Sequence, residues 1–257
     1  MRLSSLQRSI MIPLKSEKDL EMLRRSGKIL ARILKKLQKV TKPGISTAEI
    51  DRLAEELVRK EGALPAFKDY KGFPATICTS INEEIVHGIP SERVLKDGDI
   101  IGLDLGINYE GYFTDIAYTL AMGRVEPATK KLIEVAQKSL FVGIKQARVN
   151  NHLSDISFSI QNYVERNGFS VVRQFVGHGI GRALHEEPEI PNFGPPHQGA
   201  VLKSGMVFAI EPMINMGTWE SEILDNGWTA VTKDRLPSAH FEHTVAITER
   251  GPEILSN

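Results

Sequence analysis

Glu211 stands inside the apolar run FAIEPMI, where an ionised carboxylate carried out of water costs on the order of several kcal/mol unless a counter-charge or a metal meets it. Three more acids share that kind of setting: Asp104 in DGDIIGLDLG, Asp115 in YFTDIAYTL and Glu242 in SAHFEHTVAIT. GHGIGRALHEEP adds His178 and His185, and NEEIVHGIP adds His87. If Asp104, Asp115, Glu211, Glu242 and one histidine converge, four negative charges meet one imidazole, and two divalent ions neutralise the set. Oxygen-dominated ligation suits Mn(II), Fe(II) or Co(II) better than the thiolate or histidine-rich sets of structural zinc. Such ions, about 3.5 to 4 Å apart, share bridging carboxylates and a hydroxide, which points to a hydrolase. HExxH and GxSxG are both missing, so a helical zincin and a serine hydrolase have no support.

The acids need elements to hold them. DIIGLDLGI and YFTDIAYTLAM read as two strands joined through the turn residues NYEG. A loop at Tyr109-Glu110 sets Asp104 opposite Asp115, whereas a loop at Glu110-Gly111 sets Asp115 opposite Gly106. Either register keeps both acids on one face. Carboxylates facing each other across strands repel unless cations lie between them; the alternative, two solvent-facing aspartates, sits poorly with the flanking IIGLDLG. Pro212 cannot donate a ladder bond, so Glu211 is expected where pairing is interrupted. Alternation sets His240 and Glu242 on one face and His243 on the other, which leaves open which histidine lies near the site.

Around these strands the apolar spacing predicts helices. From Ser16, residues Leu20, Leu23, Ile29, Ile33 and Leu37 fall on one helical face. A second helix opens with the capping-box pair Ser46 and Glu49 and stops at Gly62. Two more follow in EPATKKLIEVAQKSLFVGIKQA, with Pro127 near its start, and in LSDISFSIQNYVERNG. The order then repeats: an offset of 106 takes Glu49-Ile50 to Asp155-Ile156, Val58 to Val164 and Gly62 to Gly168, and 107 takes Asp104 to Glu211. The expected architecture is one α/β (α+β) domain with helices covering a mostly antiparallel curved sheet. Its boundaries are expected at a lead of residues 1–12 and a catalytic unit of 13–257, with halves of about 13–125 and 126–257.

Lys plus Arg (32) equals Asp plus Glu (32), so no net field draws the chain to nucleic acid or an anionic membrane. The single cysteine, Cys78, leaves no intramolecular disulfide and no cysteine-rich zinc module. A reducing, cytoplasmic setting is expected, with no secretory signal, no membrane span and a monomeric chain.

On NEEIVHGIP, DIIGLDLGINYEGYFTD, GHGIGRALHEEP, FAIEPMI and WTAVTKDRLPSAHFEHT the chain resembles the type I methionine aminopeptidases, and the match covers nearly everything after the first dozen residues. The resemblance implies the pita-bread (creatinase/aminopeptidase) fold, a pseudo-twofold pair of halves around a central curved sheet. It implies two divalent ions, with Co, Mn, Fe(II), Zn or Ni as candidates, held by Asp104, Asp115, His178, Glu211 and Glu242, with Asp115 and Glu242 bridging. Glu211 would handle the proton of the attacking water, His185 would hydrogen-bond the developing oxyanion, and His87 would contact the scissile amide or the substrate amine. Tyr70, Phe73, Cys78, Leu184 and Trp228 fall where that family builds its methionine slot. The chain departs from the bacterial pattern at Phe67, where a cysteine is frequent, at Phe73 for tyrosine, at Leu184 for an aromatic, and at Gly106 for threonine.

The activity implied is removal of N-terminal methionine ahead of a small second residue, acting on nascent proteins and peptides. The ribosome is a candidate partner, although the N-terminal lead has neither PxxP nor a Cys/His finger to dock through. An X-Pro aminopeptidase or prolidase shares the ligands but usually carries a further N-terminal domain. The long insertion of the type II enzymes is missing, since only 30 residues separate Glu211 from Glu242. A non-catalytic binding protein on the same scaffold would have lost ligands, and all five ligand positions are kept here.

Overall fold

Serine and acid pairs start the helices. The structure is a computed structural model describing residues 11–257, so residues 1–10 of the expected lead lie outside the described residues. α1 (Glu17–Val40) opens on Ser16, whose backbone N–H donates to Asp19, and α2 (Thr47–Lys60) opens on Ser46, whose N–H donates to Glu49. α3 (Pro127–Ile144) has proline in its first turn, where a missing N–H costs nothing. α4 (Leu153–Arg166) repeats the device of α2, with the N–H of His152 donating to Asp155. No helix among the described residues is long and apolar enough to cross a membrane.

Among the described residues the main sheet is antiparallel throughout and has nine strands. At its centre the hairpin Ile100–Tyr109 and Tyr112–Ala121 meets the strand Glu242–Thr248, which in turn pairs with Val207–Ile210 and, beyond it, Gly177–Gly179. Cys78–Ile81 pairs along Ile100–Tyr109. The hairpin loop is Glu110-Gly111, both at positive φ (52° and 81°), the backbone a two-residue type I′ turn requires. That loop settles the register: Asp115 faces Gly106, and Asp104 faces Ala117.

Alternation then divides the faces. Ile101, Leu103, Leu105 and Ile107 pack against Leu30, Ile33, Leu37 and Ile50 of α1 and α2, so Asp104, between Leu103 and Leu105, points to the opposite face. In the second half α3 and α4 cover Phe208, Ile210 and Val245 in the same manner. The two halves also repeat in detail. Ser46 bridges Val94 as His152 bridges Val201, and Gly98 and Gly205 share φ of 91°.

Two strands leave this sheet together. After Ile210 the chain passes Glu211-Pro212 and continues as Met213–Asn215 in a separate three-stranded sheet, where it pairs with Ser238–His240. Ser238–His240 re-enters the main sheet one residue later at Glu242. Both glutamates therefore sit where the ladder parts, as Pro212 led us to expect for Glu211.

Gly106 has its own constraint. A Cβ placed there would lie 2.6 Å from Cε1 of Phe67 and 3.2 Å from Cβ of Ala66. The ring of Phe67 thus takes the space a side chain at 106 would fill, so residues 67 and 106 are sterically coupled. Gly106→Val is expected to destabilise the fold by about 1–3 kcal/mol through overpacking. In a Phe67→Ala background the same change should cost much less, a non-additivity that denaturant unfolding of the four proteins would measure. Additive costs would reject the coupling.

Candidate active site

The sheet register lines the acids up. Cys78 faces Asp104, Asp104 faces Ala117, and Ala117 faces Glu242, giving one row across four strands. Because His243 faces Ile210, the next step brings Glu242 level with Glu211. Asp115 lies two residues from Ala117 on the same face, and His178 faces Ala209, two residues before Glu211. The ligand atoms of Asp115, His178 and Glu242 lie within 4.8 Å of one another. Nε2 of His178 is 3.5 Å from Oε1 of Glu211. The structure therefore brings together the four acids singled out by type and spacing and, beside them, His178, the histidine that the resemblance implied.

Threonine hydroxyls hold the strands on either side of this row. The N–H of Asp115 donates to Oγ1 of Thr244, which donates back to the carbonyl of Asp115, both at 2.9 Å. Thr119 makes the same double link to the main chain of His240. Each hydroxyl replaces direct strand pairing, which here is confined to Glu242 and His243.

The histidines divide by environment. Nδ1–H of His178 donates to the carbonyl of Gly179 at 2.9 Å, which leaves the Nε2 lone pair aimed at the acids. The rings of His178 and His185 have centroids 4.1 Å apart, and Tyr70 stacks on His185 at 5.2 Å with 10° between planes. His87 adopts the left-handed conformation (φ 59°), rare for a non-glycine and concentrated at functional sites. Its ring meets Phe175 and Trp228 edge to face. Gly88 after it is obligatory, since a Cβ there would lie 2.2 Å from the carbonyl oxygen of Thr79. His240 lies beside the acids, with Nε2 3.8 Å from Oε2 of Glu211, whereas Nδ1 of His243 turns to Oγ of Ser256 at 3.0 Å. Alternation had separated these two without saying which mattered.

One cavity of about 350 Å³ opens onto all of this. Asp104, Asp115, His178, Glu211 and Glu242 form its acidic part, and His87 and His185 stand on its wall. Tyr70, Phe73, Cys78, Leu184 and Trp228 line it as well, with Phe73 and Trp228 edge to face at 5.2 Å. Sequence reasoning missed Phe175 and Met213 as lining residues. Met213 follows Glu211 by two positions, a spacing that gave a signal, but Pro212 hid it by breaking the strand.

Over residues 21–249 the sequence matches metallopeptidase family M24. It is 52% identical over 246 residues to the methionine aminopeptidase of Clostridium perfringens, covering 96% of this chain and 99% of that protein. The chain belongs to the methionine aminopeptidases of metallopeptidase family M24. It is likewise 51% identical over 246 residues to methionine aminopeptidase 1 of Bacillus subtilis, across 96% of this chain and 99% of that one. The crystal structure of methionine aminopeptidase from Rickettsia prowazekii superposes with a TM-score of 0.95 at 40% identity, over 96% of this chain and 100% of that one. Prolidase from Pyrococcus furiosus, at 22% identity and a TM-score of 0.78, over 95% of this chain and 65% of that one, shares the fold alone.

In this metallopeptidase chain the acids themselves fit a cation. Burial, followed by the neighbouring negative charges, pushes Asp104, Glu211 and Glu242 well above the ordinary carboxylate range, and burial lifts Asp115 to about 7. Oδ1 of Asp104 and Oε1 of Glu242 are buried without a hydrogen-bond partner, and so is Nε2 of His240. A buried oxygen without a donor wants a counter-ion. Burial also keeps the imidazoles neutral, with His178 down to about 4 and His185 and His240 down to about 3. A neutral imidazole can ligate a metal or donate one N–H.

A pH-dependent metal response follows. Carboxylates whose folded pKa is raised contribute stability that is full below their unfolded value, 3.8 for aspartate, and is lost as pH rises through about 7 at Asp115. A divalent ion takes the place of those protons. The stabilisation by Mn(II), about 2.7 kcal/mol at a hundredfold excess over Kd, should therefore be much larger near pH 8 than near pH 5. Thermal melts with and without Mn(II) at both pH values would measure this, and a shift independent of pH would count against the cluster as the binding place.

Proposed function

We propose that this chain removes the N-terminal methionine from nascent proteins and peptides whose second residue is small, by hydrolysis at two divalent ions. One observation carries the reading: a single cavity joins the acid row to an apolar slot. Asp104, Asp115, His178, Glu211 and Glu242 would hold the ions. Ions bound there would polarise a carbonyl oxygen and lower the pKa of water. The oxygen-rich set favours Mn(II), Fe(II) or Co(II), with Zn and Ni as further candidates. Work on nascent chains places the reaction in the cytoplasm.

The chain's own groups complete the chemistry. The carboxylate of Glu211, in the acid row and 3.5 Å from Nε2 of His178, takes a proton from the attacking water and returns it to the leaving amine. His185 is neutral and held in place by the Tyr70 stack, so its N–H can donate to the oxyanion as charge develops. His87, whose pKa burial also lowers, stands between Phe175 and Trp228, where it can contact the scissile amide or the substrate amine. A methionine thioether offers dispersion and weak sulfur contacts, which Phe73, Cys78, Leu184 and Trp228 can return. The Cys78 thiol stays protonated, because burial and the charge of Asp104 both push it up.

With Mn(II) or Co(II) the purified protein should release methionine from Met-Ala-Ser and leave Met-Lys peptides intact; a protein that releases nothing is no peptidase. Glu211→Ala should abolish turnover and weaken metal uptake, and a near-normal rate in that variant would remove its assigned role. His185→Ala should lose about 2–4 kcal/mol of transition-state stabilisation, the scale of one oxyanion donor, mainly in kcat. An unchanged kcat would refute that assignment.

A further inference from the structure

The loop that carries His185 is gripped from outside the cavity by the start of α1. Oε1 of Glu186 accepts the backbone N–H groups of Arg182 at 2.6 Å and Ala183 at 3.1 Å, and its other oxygen accepts Nζ of Lys15. Lys15 is only 8% exposed, and its backbone N–H donates to the carbonyl of Gly205 at 2.7 Å. Its side chain runs across Gly181, where an added Cβ would meet Cε of Lys15 at 2.2 Å. Four residues on, Asp19 accepts Nη2 of Arg182 and the hydroxyl of Tyr112, each at 2.9 Å. The guanidinium of Arg182 also lies 3.8 Å over the Tyr112 ring. The N–H of Phe113 closes the far side by donating to the carbonyl of Gly181 at 2.7 Å.

Lys15 and Asp19 thus hold both ends of a loop of six residues, Gly181 to Glu186, and His185 is bonded directly to Glu186. Lys15, Asp19, Arg182 and Glu186 are not among the described residues that line the cavity. We propose that Lys15 and Asp19 are positioning residues: they strap the loop and fix where the His185 imidazole stands against the acid row. A donor displaced by about 1 Å can cost a hundredfold in rate, so a strap of this kind acts on kcat rather than on substrate affinity. The inference rests on the peptidase reading, because turnover reports where His185 stands. A buried ion pair is weak evidence for stability, and its best-attested use is to select one arrangement.

The test compares wild type with Lys15→Met, Lys15→Arg and Glu186→Gln on Met-Ala-Ser with Mn(II), alongside amide exchange on the metal-free proteins. Lys15→Met should lower kcat about ten- to hundredfold with KM within about threefold, and Lys15→Arg should restore most of the loss. The Arg182 and Ala183 amides should be protected in wild type and exchange about tenfold faster or more in Lys15→Met. A folded Lys15→Met protein with a lower Tm but wild-type kcat overturns the proposal. Should Lys15→Met not fold, Glu186→Gln replaces it, with the same kcat loss expected and an unchanged kcat equally fatal. Free exchange of the Arg182 and Ala183 amides in wild type overturns the proposal whatever the variants do. A wild-type protein that releases no methionine sinks the peptidase reading instead, and the exchange arm still decides the strap.

Discussion

Desolvation of four neighbouring carboxylates is the constraint on which the rest of this structure depends. Burial, and after it the charges of neighbouring acids, raises the proton affinity of Asp104, Glu211 and Glu242, burial raises that of Asp115, and strand register keeps the four together. The helices take the other face of the sheet, and with it the apolar burial that stabilises so unfavourable a row. Folding and metal affinity are then two readings of one electrostatic fact: the burial the sheet imposes on these acids is what a cation offsets.

The sheet supplies that row through deliberate interruptions. Glu211 and Glu242 lie where two strands cross from the main sheet into the same small one, and Thr119 and Thr244 hold main chains at the places where ladder bonds stop. A continuous ladder would hold its strands in register without leaving carboxylate oxygens free to point at a common centre. Local loss of pairing is restored by hydroxyls, which satisfy the N–H and C=O groups without closing the ladder. The histidine loop is handled by the same logic, with Glu186 collecting the donors of a segment that pairs only at its ends.

Legibility in the sequence followed distance along the chain. Helix starts were readable at Ser16, Ser46 and Pro127 because capping acts over three or four residues. Alternation placed Asp104 and Asp115 on one face, and it separated His240 from His243, yet the loop position needed the positive φ pair at Glu110-Gly111 to be seen. The acid row was suggested by types alone, and the resemblance to methionine aminopeptidases gave each residue a role. What could not be read was pairing across the fold. Lys15 meets Glu186 across 171 positions and Arg182 meets Asp19 across 163, distances over which no periodicity reports. Phe175 and Met213 escaped for a related reason, since each lies beside an irregular stretch where alternation stops counting.

The ring of Phe67 seated over Gly106 has a consequence for how such a chain can change with time. Enlarging residue 106 first drives a side chain into the Phe67 ring, whereas shrinking residue 67 first leaves a void beside the glycine. Either route between a glycine–phenylalanine wall and a bulkier–smaller pairing therefore passes through a less stable intermediate. Drift through this part of the cavity is slow, because neither residue changes cheaply while the other stays.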